Sequence, residues 1–309
     1  MFVGVPTFNR PDLVKETVAS IIGQSCEAYR VVVSDNGSEP EAAHDVRRFV
    51  EGLEDPRVTF VQQSVNGGEY GQGRYFLREA GDDEFFVIVH DDDLLEPQHL
   101  ARAVAALKEN PQASVYVANP LLVDETGQPS QTLTARYLRD HGRSDAAEGL
   151  FDMLTRHFAT GFTPISGTLF RTADLHRSGF VDDDCFGNFP FEFNIMVRLG
   201  DIGAKGWFDP VQGLRVRYHD GQLRNTLGLM RNPDVVATMR RILERRSYSG
   251  FVERRRRQIL SRLHRAEAEI AHARGDVAAA RSWASQARCA YHLSPRAWLF
   301  SLRLMLSRG

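Results

Sequence analysis

Short apolar runs alternate with longer amphipathic stretches through the first part of the chain. Phe2–Val5, Arg30–Ser34, Val58–Gln62, Phe85–Val89 and Ser114–Ala118 are brief and rich in β-branched or aromatic residues, a pattern that predicts strands. Val31-Val32-Val33 and Val87-Ile88-Val89 show no polar alternation, so both faces of these strands are expected to be covered. Helical patterns lie between them, at about Pro11–Ile22, Glu41–Leu53, Gln72–Ala80 and Pro97–Lys108. Pro11 suits a first helical turn and Gly23 a helix end. The strand–helix rhythm predicts a mostly parallel sheet with helices on both faces. Further on, Gly149–Phe158 and Phe191–Leu199 read as helices, and Ile165–Phe170 and Leu214–Tyr218 as strands. From Pro233 to Leu306 the pattern is helical, punctuated by Gly250, Gly275 and Pro295.

In parallel sheets ligands gather beyond the carboxyl ends of the strands. Pro6-Thr7-Phe8-Asn9-Arg10 follows the first strand and Asp35-Asn36-Gly37-Ser38 the second. Asn66-Gly67-Gly68, then Gly71 and Gly73, follow the third, and His90-Asp91-Asp92-Asp93 the fourth. Four consecutive strand ends thus bring polar, glycine-rich or charged loops to one rim.

Three adjacent carboxylates fixed by a buried strand repel one another, and a divalent cation is the natural counter-charge. Hard oxygen ligands suit Mg2+ or Mn2+, ions commonly shared between carboxylates and phosphate oxygens. Asp182-Asp183-Asp184 has too short a lead to close a buried strand and reads as a loop. Asp82-Asp83-Glu84 reads as a turn. The segment "GGEYGQG" lacks the Lys-Ser/Thr of a phosphate loop.

The segments "VGVPTFNRPDLVKETVASI", "VVVSDNGS", "NGG" and "VIVHDDDLLEP", in this order and spacing, resemble the nucleotide-binding half of family 2 glycosyltransferases with a GT-A fold. "ISGTLFRTADLHRSGF", "FEFNIMVRLG" and "VRYHDGQ" resemble the acceptor half. The resemblance implies a Rossmann-like GT-A domain over residues 1–220, divided into a nucleotide-sugar half (1–119) and an acceptor half (120–220). An all-helical domain over 221–309 follows it.

Residue by residue, the resemblance assigns Pro6, Thr7 and Asn9, with Arg10 nearby, to the loop on the base and ribose. It assigns Asp35 to the base, and Asp91, Asp92 and Asp93 to the family's Asp-x-Asp region, with Asp93 favoured as metal ligand and Asp92 next. Many members carry an acid where His90 stands. Gly67 falls in the donor loop after the third strand. The Ala-Arg-Asn common in the following helix is absent, and Arg74 is the cation left for the diphosphate. Arg215 and Arg217 face either phosphate or solvent, and His219 matches a histidine that completes the metal site. Ser166-Gly167 matches a turn on the acceptor side.

Glu192 matches the general base. Relatives often have two acids there, whereas this chain has Phe191-Glu192. An apolar surround of Phe189, Phe191, Phe193 and Ile195 would raise its pKa towards a useful range. The implied reaction moves a sugar from a nucleoside diphosphate sugar to an acceptor hydroxyl, with inversion and with Mn2+ or Mg2+. A uridine diphosphate sugar is the favoured donor, with dTDP and GDP sugars as alternatives. The acceptor is a saccharide, a lipid-linked saccharide or a small molecule. Two other readings share the fold: a sugar-nucleotide binder without transferase activity, and a sugar nucleotidylyltransferase. The latter usually opens with a Gly-rich loop, where this chain has Pro6–Arg10.

Net charge is −2 over 309 residues, which argues against a nucleic-acid partner. The balance is uneven, because residues 221–309 carry about a dozen more arginines than acids. Arg254–Arg257 read as a solvated basic face and "AWLFSLRLML" as helix packing, with peripheral contact with an anionic membrane as the alternative. Cys26, Cys185 and Cys289 are far apart and fit neither a disulfide framework nor a zinc site. Phe2–Val5 is too short for a signal peptide. A cytoplasmic location is the expectation, with the inner face of the membrane as the alternative.

Overall fold

The computed structural model describes residues 1–218 and 231–306. The first half runs β1 (Phe2–Thr7), α1 (Pro11–Ile22), β2 (Arg30–Asp35), α2 (Pro40–Gly52), β3 (Val58–Gln62), α3 (Gly68–Ala80), β4 (Phe85–Ile88), β5 (Leu94–Leu95) and α4 (His99–Glu109). Next come β6 (Ala113–Val123), α5 (Gln131–Asp140), β7 (Gly149–Asp152), α6 (Met153–Thr160), β8 (Leu169–Arg171) and α7 (Thr172–Ser178). They are followed by α8 (Asn188–Asp201), β9 (Lys205–Arg217), α9 (Pro233–Glu244), α10 (Gly250–Ala273), α11 (Val277–Ala290) and α12 (Pro295–Leu306).

The strands form one mixed sheet in the order β3-β2-β1-β4-β8-β6-β9-β5, with β7 paired to β9. The block β3-β2-β1-β4 and the long β6–β9 pair are parallel, so most paired residues are parallel, while β8, β5 and β7 join antiparallel. Side chains alternate across each strand. Val3, Val5, Val31, Val33, Val87 and Val89 pack with Val14, Val18 and Ile21 of α1 and Leu100 of α4. On the other face Phe2 stacks on Phe86, and Phe76 of α3 lies against Phe2. A Cβ at Gly4 would meet the Phe76 ring at 2.7 Å, so glycine there lets α3 approach the sheet. The expected two-sided burial is what the sheet shows.

Several elements differ from expectation. Gly149–Phe158 is not one helix but β7 followed by α6. Asp152 caps the helix, its carboxylate accepting from the Thr155 N–H at 2.7 Å, which ends the strand and starts the helix at one residue. Of Ile165–Phe170 only the end lies in β8; Gly167 turns the chain with φ +72°. β6 and β9 are longer than the runs that signalled them, and α5, α7, β5 and β7 carried no separate signal.

The chain divides into two compact units. One comprises Met1–Val181 with Ile195–His219, the other Asp182–Asn194 with Asp220–Gly309. The second unit holds the helices α9 to α12, broken at the expected Gly250, Gly275 and Pro295. Its Ala268, Ala280 and Ala284 pack together with Trp283 and Phe300. Asp182 accepts two hydrogen bonds from Arg246, at 2.8 and 2.9 Å, and Asp184 pairs with Arg241 and Arg245. This acidic loop is therefore taken up by arginines of its own unit. Among the described residues no helix is long and apolar enough to cross a membrane.

Candidate functional site

The polar rim is built where parallel strands end side by side. β1 delivers Thr7, β2 delivers Asp35, and the segment after β4 delivers the acids. Thr7 donates its hydroxyl to Asp91 Oδ2 at 2.9 Å. Arg10 Nη1 reaches Asp91 Oδ1 at 3.2 Å and Asp92 Oδ2 at 2.9 Å. Asp93 lies deepest of the three, 3% exposed. Its side chain accepts from the Ser166 hydroxyl and, at 3.3 Å, from the Arg217 N–H. The Thr17 hydroxyl on α1 holds the Asp93 carbonyl at 2.9 Å. The expected repulsion is thus spread over three environments: one guanidinium bridges two acids, and neutral donors hold the third.

Burial pushes the Asp93 carboxyl up to about 6, with the neighbouring Asp92 charge adding to the rise; His90 and the two hydrogen bonds oppose it. Burial also raises Asp91 above its ordinary range, against the pull of Arg10. Such carboxylates are poised for a positive ligand. Ligand atoms of His90, Asp92 and Asp93 all lie within 4.8 Å of one another. Two carboxylates and an imidazole fit a divalent ion such as Mn2+. His90, which breaks the usual run of acids, therefore joins the candidate metal group. Asp91 lies instead towards Thr7 and Arg10. His219 is outside the described residues.

Beside this corner lies a cleft of about 210 Å³, bounded by Pro6, Thr7, Phe8, Arg10, Asn36, Glu69, Gln72 and Asp91. Its walls are pinned by short contacts. Asn36 Oδ1 accepts from the Gly67 N–H at 3.0 Å and from Gln72 Nε2 at 2.9 Å. Asn9, at φ +55°, donates its N–H to Ser38 and accepts from the Glu39 N–H, both at 2.8 Å. It clips the β1–α1 turn to the β2–α2 turn. Gly37 sits at φ +78°, and a Cβ there would lie 2.9 Å from the Asn66 nitrogen. Among the described residues that the strand ends and α3 bring to this rim, Asp35 Oδ1 and Gln72 Oε1 are buried acceptors with no protein donor. An orphaned buried acceptor is costly, and a bound ligand is one way to satisfy it.

The other assigned residues make contacts of their own. Arg74 stacks its guanidinium 4.9 Å from the Tyr70 ring. Arg215 pairs with Glu96 at 2.8 Å, and Arg217 pairs with Glu16 at 2.8 Å while its amide holds Asp93. The Gly167 N–H donates to the Ile88 carbonyl, and His99 Nε2 meets the Gly167 carbonyl at 2.7 Å. Glu192 lies half-buried on α8, in the second unit's segment. Helical spacing puts Phe189 and Ile195 on its side of α8, with Phe191 and Phe193 at adjoining positions. Phe189 is itself 42% exposed.

Asn36, Glu69, Gln72 and the exposed Phe8 were not singled out in the sequence, and His90 only as a departure. Phe8 and Asn36 stand inside quoted motifs. Glu69, 2.9 Å from His90 Nε2, and Gln72 opened no recognisable motif.

The model of "Glycosyl transferase family 2" matches residues 2–170. The chain is 26% identical over 199 residues to the GalNAc(5)-diNAcBac-PP-undecaprenol beta-1,3-glucosyltransferase of Campylobacter jejuni, covering 63% of this chain and 58% of that protein. It is 25% identical over 97 residues to the putative colanic acid biosynthesis glycosyl transferase WcaA of Escherichia coli, covering 31% of this chain and 34% of that protein. In fold it is similar to S. aureus TarS 1-349 in complex with UDP-GlcNAc, with TM-score 0.67 at 16% identity, over 98% of this chain and 88% of that one. It is also similar to the mannosyltransferase PcManGT from Pyrobaculum calidifontis in complex with GDP-Man and Mn2+, with TM-score 0.58 at 18% identity, over 98% and 83%. The family match spans more than half of the chain and takes in the strand ends that carry Thr7, Asp35 and Asp91–Asp93, and this chain belongs to glycosyl transferase family 2.

Proposed function

We propose that the protein transfers a sugar from a nucleoside diphosphate donor to an acceptor hydroxyl, with a divalent cation and with inversion at the anomeric carbon. The observation that carries this reading is the corner where His90, Asp92 and Asp93 converge beside the cleft under Thr7 and Asp91. His90, Asp92 and Asp93 would hold Mn2+ or Mg2+, which when bound offsets charge on the departing diphosphate. Asp91, oriented by Thr7 and Arg10, is the acceptor for a ribose or sugar hydroxyl. Asp35 Oδ1 and Gln72 Oε1 are the acceptors offered to N–H groups of the base, and Phe8 offers it a ring face. A UDP-sugar is the donor proposed first, with dTDP- and GDP-sugars as alternatives. The Campylobacter relative's lipid-pyrophosphate saccharide makes a lipid-linked saccharide the first acceptor class to try.

Glu192 is proposed as the base. It takes the acceptor hydroxyl's proton as that oxygen bonds the anomeric carbon and the diphosphate leaves from the opposite face. Glu192→Gln should then lower kcat by about two orders of magnitude or more while donor affinity stays within about twofold. A panel of UDP-, dTDP- and GDP-sugars with Mn2+, Mg2+ or chelator, read by nucleotide release and by the anomeric configuration of the product, tests the reading. Undiminished turnover by Glu192→Gln would remove that residue from the mechanism.

A further inference from the structure

The second unit contains a cleft of about 510 Å³ between α10 and the corner leading into α12. Four arginines line it, Arg255, Arg262, Arg265 and Arg296, with Tyr291 and Ser294, and no acid is among its lining residues. The arrangement follows from helical spacing, since positions 255, 262 and 265 share one face of α10. Neighbouring arginines of that helix are committed elsewhere. Arg256 pairs with Glu253 at 2.7 Å and donates to the Leu243 carbonyl. Arg257 donates to the Ala290 carbonyl at 2.8 Å. Of the tetra-arginine run, Arg256 and Arg257 thus serve helix packing and Arg255 the cleft, while Arg254 lies over the Phe251 ring of its own helix.

Inside the cleft, Arg265 is balanced by Glu269 at 2.7 Å and Arg255 donates to Gln258 at 2.8 Å. Arg262 and Arg296 are exposed. The N-terminus of α12, where Ser294 accepts from the Ala297 N–H at 3.3 Å, adds the positive end of a helix dipole. Guanidinium groups drawn together repel, and a multivalent oxyanion relieves that repulsion through paired N–H···O bonds. The volume exceeds what a single phosphate needs.

We propose that this cleft is a binding site for a phosphate-bearing anion, a pyrophosphate or phosphodiester group, separate from the transferase corner. It stands on residues of the second unit and does not depend on the proposed reaction. The group could arrive on a soluble molecule or on a lipid headgroup, and the test separates the two.

The full chain is titrated calorimetrically with sodium pyrophosphate at low salt, in chelator and in an Asp93→Asn background, which keeps metal-assisted binding at the other site out of the signal. In parallel it is co-sedimented with phosphatidylglycerol or phosphatidylcholine vesicles. The variants are Arg262→Glu/Arg296→Glu, the milder Arg262→Gln/Arg296→Gln, and Arg281→Glu, an exposed charge change on α11 outside the cleft. Unchanged thermal melts confirm folding; the glutamine pair serves if the glutamate pair melts early. A soluble source predicts pyrophosphate binding weakened at least about tenfold by either pair and not by Arg281→Glu. A headgroup source predicts retention on phosphatidylglycerol alone, lost in the same pairs. If neither probe binds, or if the pairs bind as Arg281→Glu does, the proposal is overturned.

Discussion

Asp93 is pulled in two directions by its surroundings and its proposed task. Burial favours its protonated form, with a pKa of about 6 against 3.8 for an unperturbed aspartate, whereas a metal ligand must be ionised. A carboxyl raised in the folded state stabilises the fold at pH below about 4, and this contribution is lost as pH climbs through 6. Asp93→Asn stays neutral throughout. In chelator it should therefore be more stable than the parent at pH 8, by on the order of 3 kcal/mol, with the margin shrinking towards zero by pH 4. Denaturant melts at the two pH values decide this, and an equal margin at both would count against a buried, raised carboxyl. Gly37 offers a second test at this scale. Its φ of +78° and the 2.9 Å approach of its missing Cβ to Asn66 predict that Gly37→Ala costs about 1–3 kcal/mol. A urea midpoint unchanged from the parent would show that the turn relaxes freely.

At the scale of elements, the site depends on turns being tied to one another. Asn9 links two strand ends through its N–H and Oδ1, so Asn9→Ala should cost about 1–2 kcal/mol and weaken donor binding. Its effect on cation binding should be small, since the acids hang from β4 and β9. A loss of cation affinity matching the loss of donor affinity would place Asn9 in the metal corner instead. The strands bearing these turns were legible because β1, β2 and β4 are buried on both faces and so read as unbroken apolar runs. β7 was not, because Gly149-Leu150-Phe151-Asp152 is short and its Leu150 is exposed, so its four residues merged with the helix behind them. Most of β9 was hidden by Asp209-Pro210, where its register against β6 shifts. The acid triplet was legible as a cluster, but its division of labour was not. Which carboxylate meets Arg10 depends on contacts between residues some eighty positions apart, and that His90 joins Asp92 and Asp93 depends on the turn after β4, where the Asp93 N–H donates to the His90 carbonyl.

Over the whole molecule, the acidic excess of the first 220 residues and the arginine excess of the rest correspond to two different chemistries. Buried carboxylates in the sheet unit call for a cation. Arginines in the helical unit neutralise Asp182 and Asp184, brace neighbouring helices, or line the proposed anion cleft. The central claim is that Asp92 and Asp93 couple a divalent cation to a nucleoside diphosphate. Calorimetric titration of the protein with UDP at pH 7.5, with Mn2+ and with chelator, tests it most directly. The expected result is a Kd at least about tenfold lower with Mn2+, some 1.4 kcal/mol of coupling, and no such difference in Asp92→Asn/Asp93→Asn. Equal affinity with and without Mn2+ in the parent, or an undiminished Mn2+ effect in the double variant, would contradict it.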